Sequence, residues 1–299
     1  LLIAALKHFA RMKKLLVSTL LAVALTACGG GGSSNFVSAA TAATAAPQRL
    51  VGEIVATPAQ VTNGDLATNA GFAGNLPASY AIQAAGKAQM LDLQFVRGAG
   101  GEAQLVEYAK QNTSLLTPGV RVLVADELFW NPDSAAPDSD ATLQPQLAAF
   151  ADAVALVRKY VPQARVGVTI TPYAMIGHPN SLEYAKRALA LVDWVGTDAY
   201  WLGGDNVQAL EDWSRTFNAT AKQANPRVET WFIAQAFKMP AWDTATFNAF
   251  TQQQLATAES YDAILFFGWQ FVSEIDISAA GMNFPAATRA MFSKYLKAR

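Results

Sequence analysis

Val120-Arg121-Val122-Leu123-Val124-Ala125-Asp126-Glu127-Leu128-Phe129-Trp130 is a nearly uninterrupted apolar run that stops at two carboxylates and then two aromatic side chains. Strands covered on both faces read as continuous hydrophobic runs of this kind. The same form returns at Leu50–Ala56, Met90–Val96, Val166–Thr171, Trp194–Thr197, Thr230–Ala234 and Ala263–Phe267. Helical patterns lie between them. Gln144–Tyr160 sets Leu147, Phe150, Ala151, Val154 and Val157 on one face at i, i+3, i+4 spacing. Ser181–Leu191, Val207–Gln223 and Thr244–Ala258 follow, and Ala286–Lys297 comes last. Ser181 and Asp205 are expected to start their helices, because short oxygen side chains cap free amides.

Strands alternating with helices define an α/β chain with a parallel sheet. Seven strands stand out, and Ser79–Gln83 is the candidate eighth. From Arg49 onward, apolar residues are spread evenly with no Pro/Gly/Ser break, and some 250 residues suit a single (β/α)8 TIM-type barrel. The domain is therefore expected at 49–299. An open doubly wound sheet is the alternative, and one feature speaks for it. Gly98-Ala99-Gly100-Gly101-Glu102-Ala103 fits G-x-G-x-x-A after a strand, with Asp126 ending the next one. A glycine-rich turn between strand and helix explains the same residues, and no dinucleotide or other cofactor is expected.

The first 48 residues have a different composition. Met12-Lys13-Lys14 precedes an uncharged run, Leu15 to Leu25, and then Leu25-Thr26-Ala27-Cys28. This is the anatomy of a secretory signal peptide, and the run is too short to span a bilayer. Cys28 is the chain's only cysteine, and Gly29-Gly30-Gly31-Gly32-Ser33-Ser34 follows it. The segment resembles a bacterial lipoprotein signal, which implies cleavage before Cys28 and lipidation of its thiol. Residues 1–27 are thus expected to be upstream sequence and signal peptide, with Met12 the start, and 28–48 a lipidated flexible tether. The expected address is the bacterial cell envelope, periplasmic or surface-facing, with the membrane touched through the Cys28 anchor alone.

Charge and inventory narrow the chemistry. Loss of Lys7, Arg11, Lys13 and Lys14 with the leader leaves 18 of the 22 basic residues against 23 acidic ones, a net charge of −5. A mildly acidic body offers no electrostatic footprint for nucleic acid. His178 is the one histidine beyond the leader, too few for a multi-histidine zinc site, so no metal is expected. No G-x-S-x-G elbow and no phosphate-binding lysine motif occurs.

In a parallel barrel, polar residues at the carboxyl ends of strands face the active-site mouth. Here they are Asp126-Glu127 before Phe129-Trp130, Tyr173 after Thr171, Asp198 before Tyr200-Trp201, Gln235, and Trp269-Gln270. Carboxylates or amides beside aromatic rings suit sugars, which stack through C–H faces and hydrogen-bond through hydroxyls. Trp194, Trp213 and Trp231 lie within apolar patterns and are expected in the core.

Val192-Asp193-Trp194-Val195-Gly196-Thr197-Asp198-Ala199-Tyr200 resembles a strand common in cellulase- and mannanase-like barrel glycoside hydrolases. The resemblance implies a carbohydrate substrate or ligand, Glu127 as general acid, Asp198 as base or nucleophile, and Trp269 as a sugar platform. Trp130, Tyr173, Tyr200, Trp201 and Gln235 would complete the binding surface. Two positions depart from that pattern. Asp126 replaces the usual Asn before the acid, and Gln235 stands where a nucleophilic Glu is usual. Glu127 would then pair with Asp198 or Glu274. Alternatively, Asp126-Glu127 would act as the adjacent pair of hexosaminidase-like barrels, with Asp126 orienting the substrate's acetamido group. A glycan-binding barrel without catalysis, or an accessory envelope lipoprotein, is the other expectation.

Overall fold

A computed structural model of the chain describes residues 49–55, 57–62, 68–201, 206–238, 242–267 and 286–297. Eight parallel strands close on themselves in sequence order, β1 (Leu50–Val55), β2 (Ala70–Ala73), β3 (Ala88–Asp92), β4 (Arg121–Ala125), β5 (Arg165–Ile170), β6 (Trp194–Thr197), β7 (Glu229–Gln235) and β8 (Ala263–Phe267). β8 pairs back onto β1, Leu50 opposite Ala263. The open-sheet alternative is therefore excluded. The described helices are α1 (Pro58–Thr62), α2 (Leu76–Ala84), α3 (Gly101–Gln111), α4 (Asp140–Tyr160), α5 (Pro179–Leu189), α6 (Val207–Ala224), α7 (Thr244–Ala258) and α8 (Ala286–Lys297). None of them is long and apolar enough to cross a membrane.

The eighth strand corrects the sequence reading. Ser79–Gln83 lies inside α2, whose first turn Asn75 caps by accepting from the Ala78 amide at 2.9 Å. The strand is instead Ala70-Gly71-Phe72-Ala73, short and poor in β-formers. Pairing with β1 on one side and β3 on the other makes it a strand, a case of tertiary context overriding propensity. The Met90–Val96 strand likewise stops at Asp92, and Gln94–Arg97 turns into a 3-10 helix. At the helix starts, Asp138 takes the amide of Ser181 at 2.6 Å from outside α5, and Asn206 caps α6. Asp205 lies outside the described residues.

Gly98–Ala103 comprises the short link after that 3-10 helix and the first turn of α3. Gly100 has φ +75°, and a Cβ on Gly101 would lie 2.2 Å from the Val96 carbonyl oxygen. Backbone conformation accounts for glycine at 100 and close packing for glycine at 101.

Inward positions alternate along each strand. Trp194 and Trp231 fill the barrel at 1% exposure, and Gly167 makes room, since its Cβ would sit 2.0 Å from the Trp194 ring. At the amino-terminal end Glu229 opens β7. It accepts from Arg121 at 2.8 and 2.9 Å, from Arg165, and from the Trp231 indole at 2.6 Å. This ionic plug is half-buried, and its partial desolvation is offset because the carboxylate is hydrogen-bonded through both oxygens. Outside the barrel, α4 buries Phe150, Val154 and Val157, as its periodicity predicts.

Candidate functional site at the carboxyl end of the barrel

Above the two buried tryptophans is a cavity of about 100 Å³. Its polar wall comes from the ends of four consecutive strands: Asp92, Gln94, Asp126, Thr169 and Asp198. Tyr200 and Phe267 form an aromatic side, and Trp194, Trp231 and Leu265 lie deeper. Trp194 and Trp231 are thus core residues, as expected, whose edges also make the floor.

Asp126 reaches this wall because the β4–β5 register shifts between Leu123 and Ala125. Strict alternation would put Leu123 and Asp126, three residues apart, on opposite faces. The irregularity adds one residue, and both line the cavity. Beyond it the backbone enters the left-handed region twice, at Glu127 (φ 47°) and Phe129 (φ 72°). Each non-glycine residue in that region costs about 1–2 kcal/mol, so neighbours must hold the turn. Thr169 does much of this. Its hydroxyl donates to the Asp126 carboxylate at 2.5 Å and accepts from the Glu127 amide at 2.7 Å, while its carbonyl accepts from the Leu128 amide at 3.1 Å. Phe129 is buried and packs edge-on against Tyr184. Glu127 itself is half-buried beside the cavity rather than one of the residues lining it.

Asp92 and Asp126 share a bridge. The Gln94 amide nitrogen donates to Asp92 Oδ2 at 3.2 Å, and Gln94 Oε1 accepts from the Asp126 amide at 3.1 Å. Burial pushes the Asp92 carboxyl up to about 6, with the nearby Asp126 charge adding to it and the Gln94 backbone and side-chain N–H groups partly opposing it. Asp92 and Asp126 thus lie on one wall of the cavity, joined through Gln94. Asp198 is buried on the same wall, directly after β6.

The other expected contacts separate into two groups. Tyr200 faces the cavity, stacked on Phe267 at 5.4 Å and edge-on to Phe237 at 5.7 Å, and the Tyr173 hydroxyl donates to its carbonyl. Trp130 and Tyr173 lie 6.5 Å apart, both half-buried. Trp201, by contrast, stacks on Trp242 at 4.6 Å and leans on Phe250. Gln235 is fully buried and its side chain is committed to backbone. It accepts from the Trp201 amide at 2.6 Å and donates to the Trp201 and Phe237 carbonyls at 3.1 and 2.9 Å. Gln254 brackets its backbone in turn. Gln235 thus fastens the β6 loop to β7 and does not line the cavity. Trp269, Gln270, Glu274 and Cys28 lie outside the described residues. His178 is at the start of α5 in a surface loop. Among the described residues, no cluster of three His, Cys, Asp or Glu could hold a metal ion.

Sequence reasoning missed Asp92, Gln94 and Thr169. Asp92 carried a visible signal, a carboxylate inside the apolar stretch Met90-Leu91-Asp92-Leu93. Thr169 had none, because its role depends on the register of β5 against β4.

In fold the chain is similar to the (β/α)8-barrel glycoside hydrolases. β-Glucuronidase 2 of Bacteroides uniformis superposes with a TM-score of 0.53 at 14% identity over 74% of this chain, which spans 30% of that larger protein. Xylanase XynB of Paenibacillus barcinonensis gives 0.51 at 13% identity, covering 79% of this chain and 90% of the xylanase. A psychrophilic family 10 endo-β-1,4-xylanase gives 0.50 at 10% identity, covering 74% and 86%. At these identities the likeness is one of fold. No protein-family model matches the chain, and no curated protein does.

Proposed function

We propose that this chain acts on a glycan by general acid/base catalysis, from a barrel held in the cell envelope by lipidated Cys28. The observation that carries the catalytic part is the pair Asp92 and Asp126 on one cavity wall, with the Asp92 carboxyl raised to about 6 and Asp126 bound by the Thr169 hydroxyl. Asp92 is then the proton donor to the leaving oxygen, and Asp126 or Asp198 the carboxylate that activates water or stabilises the cationic sugar. Glu127 is the rival acid. Its position after β4 and its left-handed backbone favour it, since backbone strain concentrates at functional sites. The cell-envelope address rests on the Leu25–Cys28 box and its glycine-rich sequel.

The test is hydrolysis of a polysaccharide panel, followed by reducing ends, with the full chain and with Asp92→Asn, Asp126→Asn and Glu127→Gln. Loss of at least a hundredfold in Asp92→Asn, with wild-type rate falling as pH rises above about 6, supports Asp92, because the donor is protonated only below its pKa. The same loss in Glu127→Gln alone transfers the role to Glu127. No turnover by the wild-type chain overturns catalysis.

A second reading, a glycan-binding barrel without chemistry, is favoured by Gln235. Its amide is closed by backbone bonds at the end of β7, where these barrels commonly place a nucleophilic carboxylate.

A further inference from the structure

We infer that Gln94 is the positioning residue of this cavity: its side-chain amide orients the Asp92 carboxyl and ties it to the turn carrying Asp126. The inference rests on the glycan reading above and deepens it. Asp92 Oδ1 accepts from the Gln94 backbone N–H at 3.0 Å, at the first residue of the 3-10 helix that follows β3. The Gln94 side chain lines the cavity. There its Nε2 donates to Asp92 Oδ2 at 3.2 Å, and its Oε1 accepts from the Asp126 amide at 3.1 Å. The second bond fixes the sense of the first, because a backbone N–H can be met only by the oxygen of the side-chain amide, which turns the nitrogen to the carboxylate. Glutamine alone among side chains of this length offers a donor and an acceptor at one end. An ionised Glu has no donor, and Met has neither in strength.

Each oxygen of Asp92 thus accepts an N–H from residue 94, one from backbone and one from side chain. Both bonds favour the ionised carboxyl. Burial is the larger influence and, with the Asp126 charge, raises the group to about 6 against them. Among the described residues, the titratable groups around Asp92 are Asp126 after β4, Tyr108 of α3 and, on the same cavity, Asp198 after β6. When Asp92 passes its proton to a leaving oxygen, the negative charge stays on the two oxygens that residue 94 serves. The Gln94 amide therefore stabilises that charge as well as holding the acid still, whereas a residue that only packed here would leave the proton affinity of Asp92 unmoved.

The titration of Asp92 in the full chain tests this, followed by carbon-13 NMR of aspartate Cγ and assigned with Asp92→Asn. Gln94→Met keeps the length of the side chain and removes both of its bonds. It should raise the Asp92 midpoint by about one pH unit, since loss of a donor disfavours the carboxylate. On a polysaccharide that the wild-type chain cleaves, the alkaline fall in rate should move up by the same interval, and kcat should drop severalfold with KM little changed. Where thermal unfolding shows that Gln94→Met does not fold, Gln94→Glu carries the test. It keeps the acceptor for the Asp126 amide and puts a second charge in place of the donor, so the midpoint should again rise. A midpoint unchanged or lowered in the folded variant overturns the inference and leaves the glycan reading intact. No turnover by the wild-type chain overturns that reading alone, because the titration is read without substrate.

Discussion

Thr169 shows how much one hydroxyl does at this site. It donates to Asp126 and accepts from the Glu127 amide, so it fixes both the carboxylate and the strained turn behind it. Thr169→Val keeps the side-chain shape and removes both bonds. A buried amide left without a partner costs about 1–3 kcal/mol, and Asp126 loses its orienting donor. The expected outcome is a destabilisation of that size by urea unfolding, together with a loss of ligand affinity or turnover of at least tenfold. Unchanged stability and unchanged function would mean that the turn is held by its other contacts. Asp126 was legible as a strand-end acid in the sequence. That it, rather than Glu127, lines the cavity was not, because the choice depends on an irregular register between two strands more than 40 residues apart.

Between the elements, the contact of α6 with α7 carries a buried acid outside the cavity. Glu211 is fully buried, and Thr257 of α7 donates to its carboxyl. Burial raises this group to about 7, the Thr257 bond and nearby Arg215 partly opposing it. Because the folded-state value lies above the usual 4.5, folding favours the protonated form. The stability contribution is complete below about pH 4.5 and is lost as pH rises through about 7. Glu211→Gln removes the titration. It should leave stability near pH 4 little changed and raise it at pH 8 by on the order of 3 kcal/mol relative to wild type, read from denaturant unfolding at the two pH values. A variant no more stable at pH 8 would place the acid in a wetter setting. The later helices were readable from period and composition, and α7 and α8 begin and end where their patterns do, but α1 and α3 had no pattern assigned and part of α2 read as a strand. β2 was not, because Ala-Gly-Phe-Ala has no strand signature of its own and is ordered by its two neighbours.

At the scale of the whole molecule, a closed barrel has no sheet edge, and its two ends do different work. The amino-terminal end is plugged by Glu229 with two arginines and an indole, and the carboxyl-terminal end holds the cavity. The address belongs to this scale too. Wild-type chain expressed in a bacterial host should fractionate with membranes and need detergent for release, and Cys28→Ala should appear in the soluble envelope fraction. Wild type already soluble would refute the anchor. Sequence by itself determined the α/β alternation, because apolar period and strand-end polarity are local properties of the chain. It also determined the limits of α7 and α8 and the aromatic-acidic character of the strand ends. Tertiary structure alone decided closure, the identity of β2, the commitment of Gln235 to backbone, and the meeting of Asp92 with Asp126. Each of these depends on which strands become neighbours and in what register, and long-range pairing fixes that where local pattern cannot.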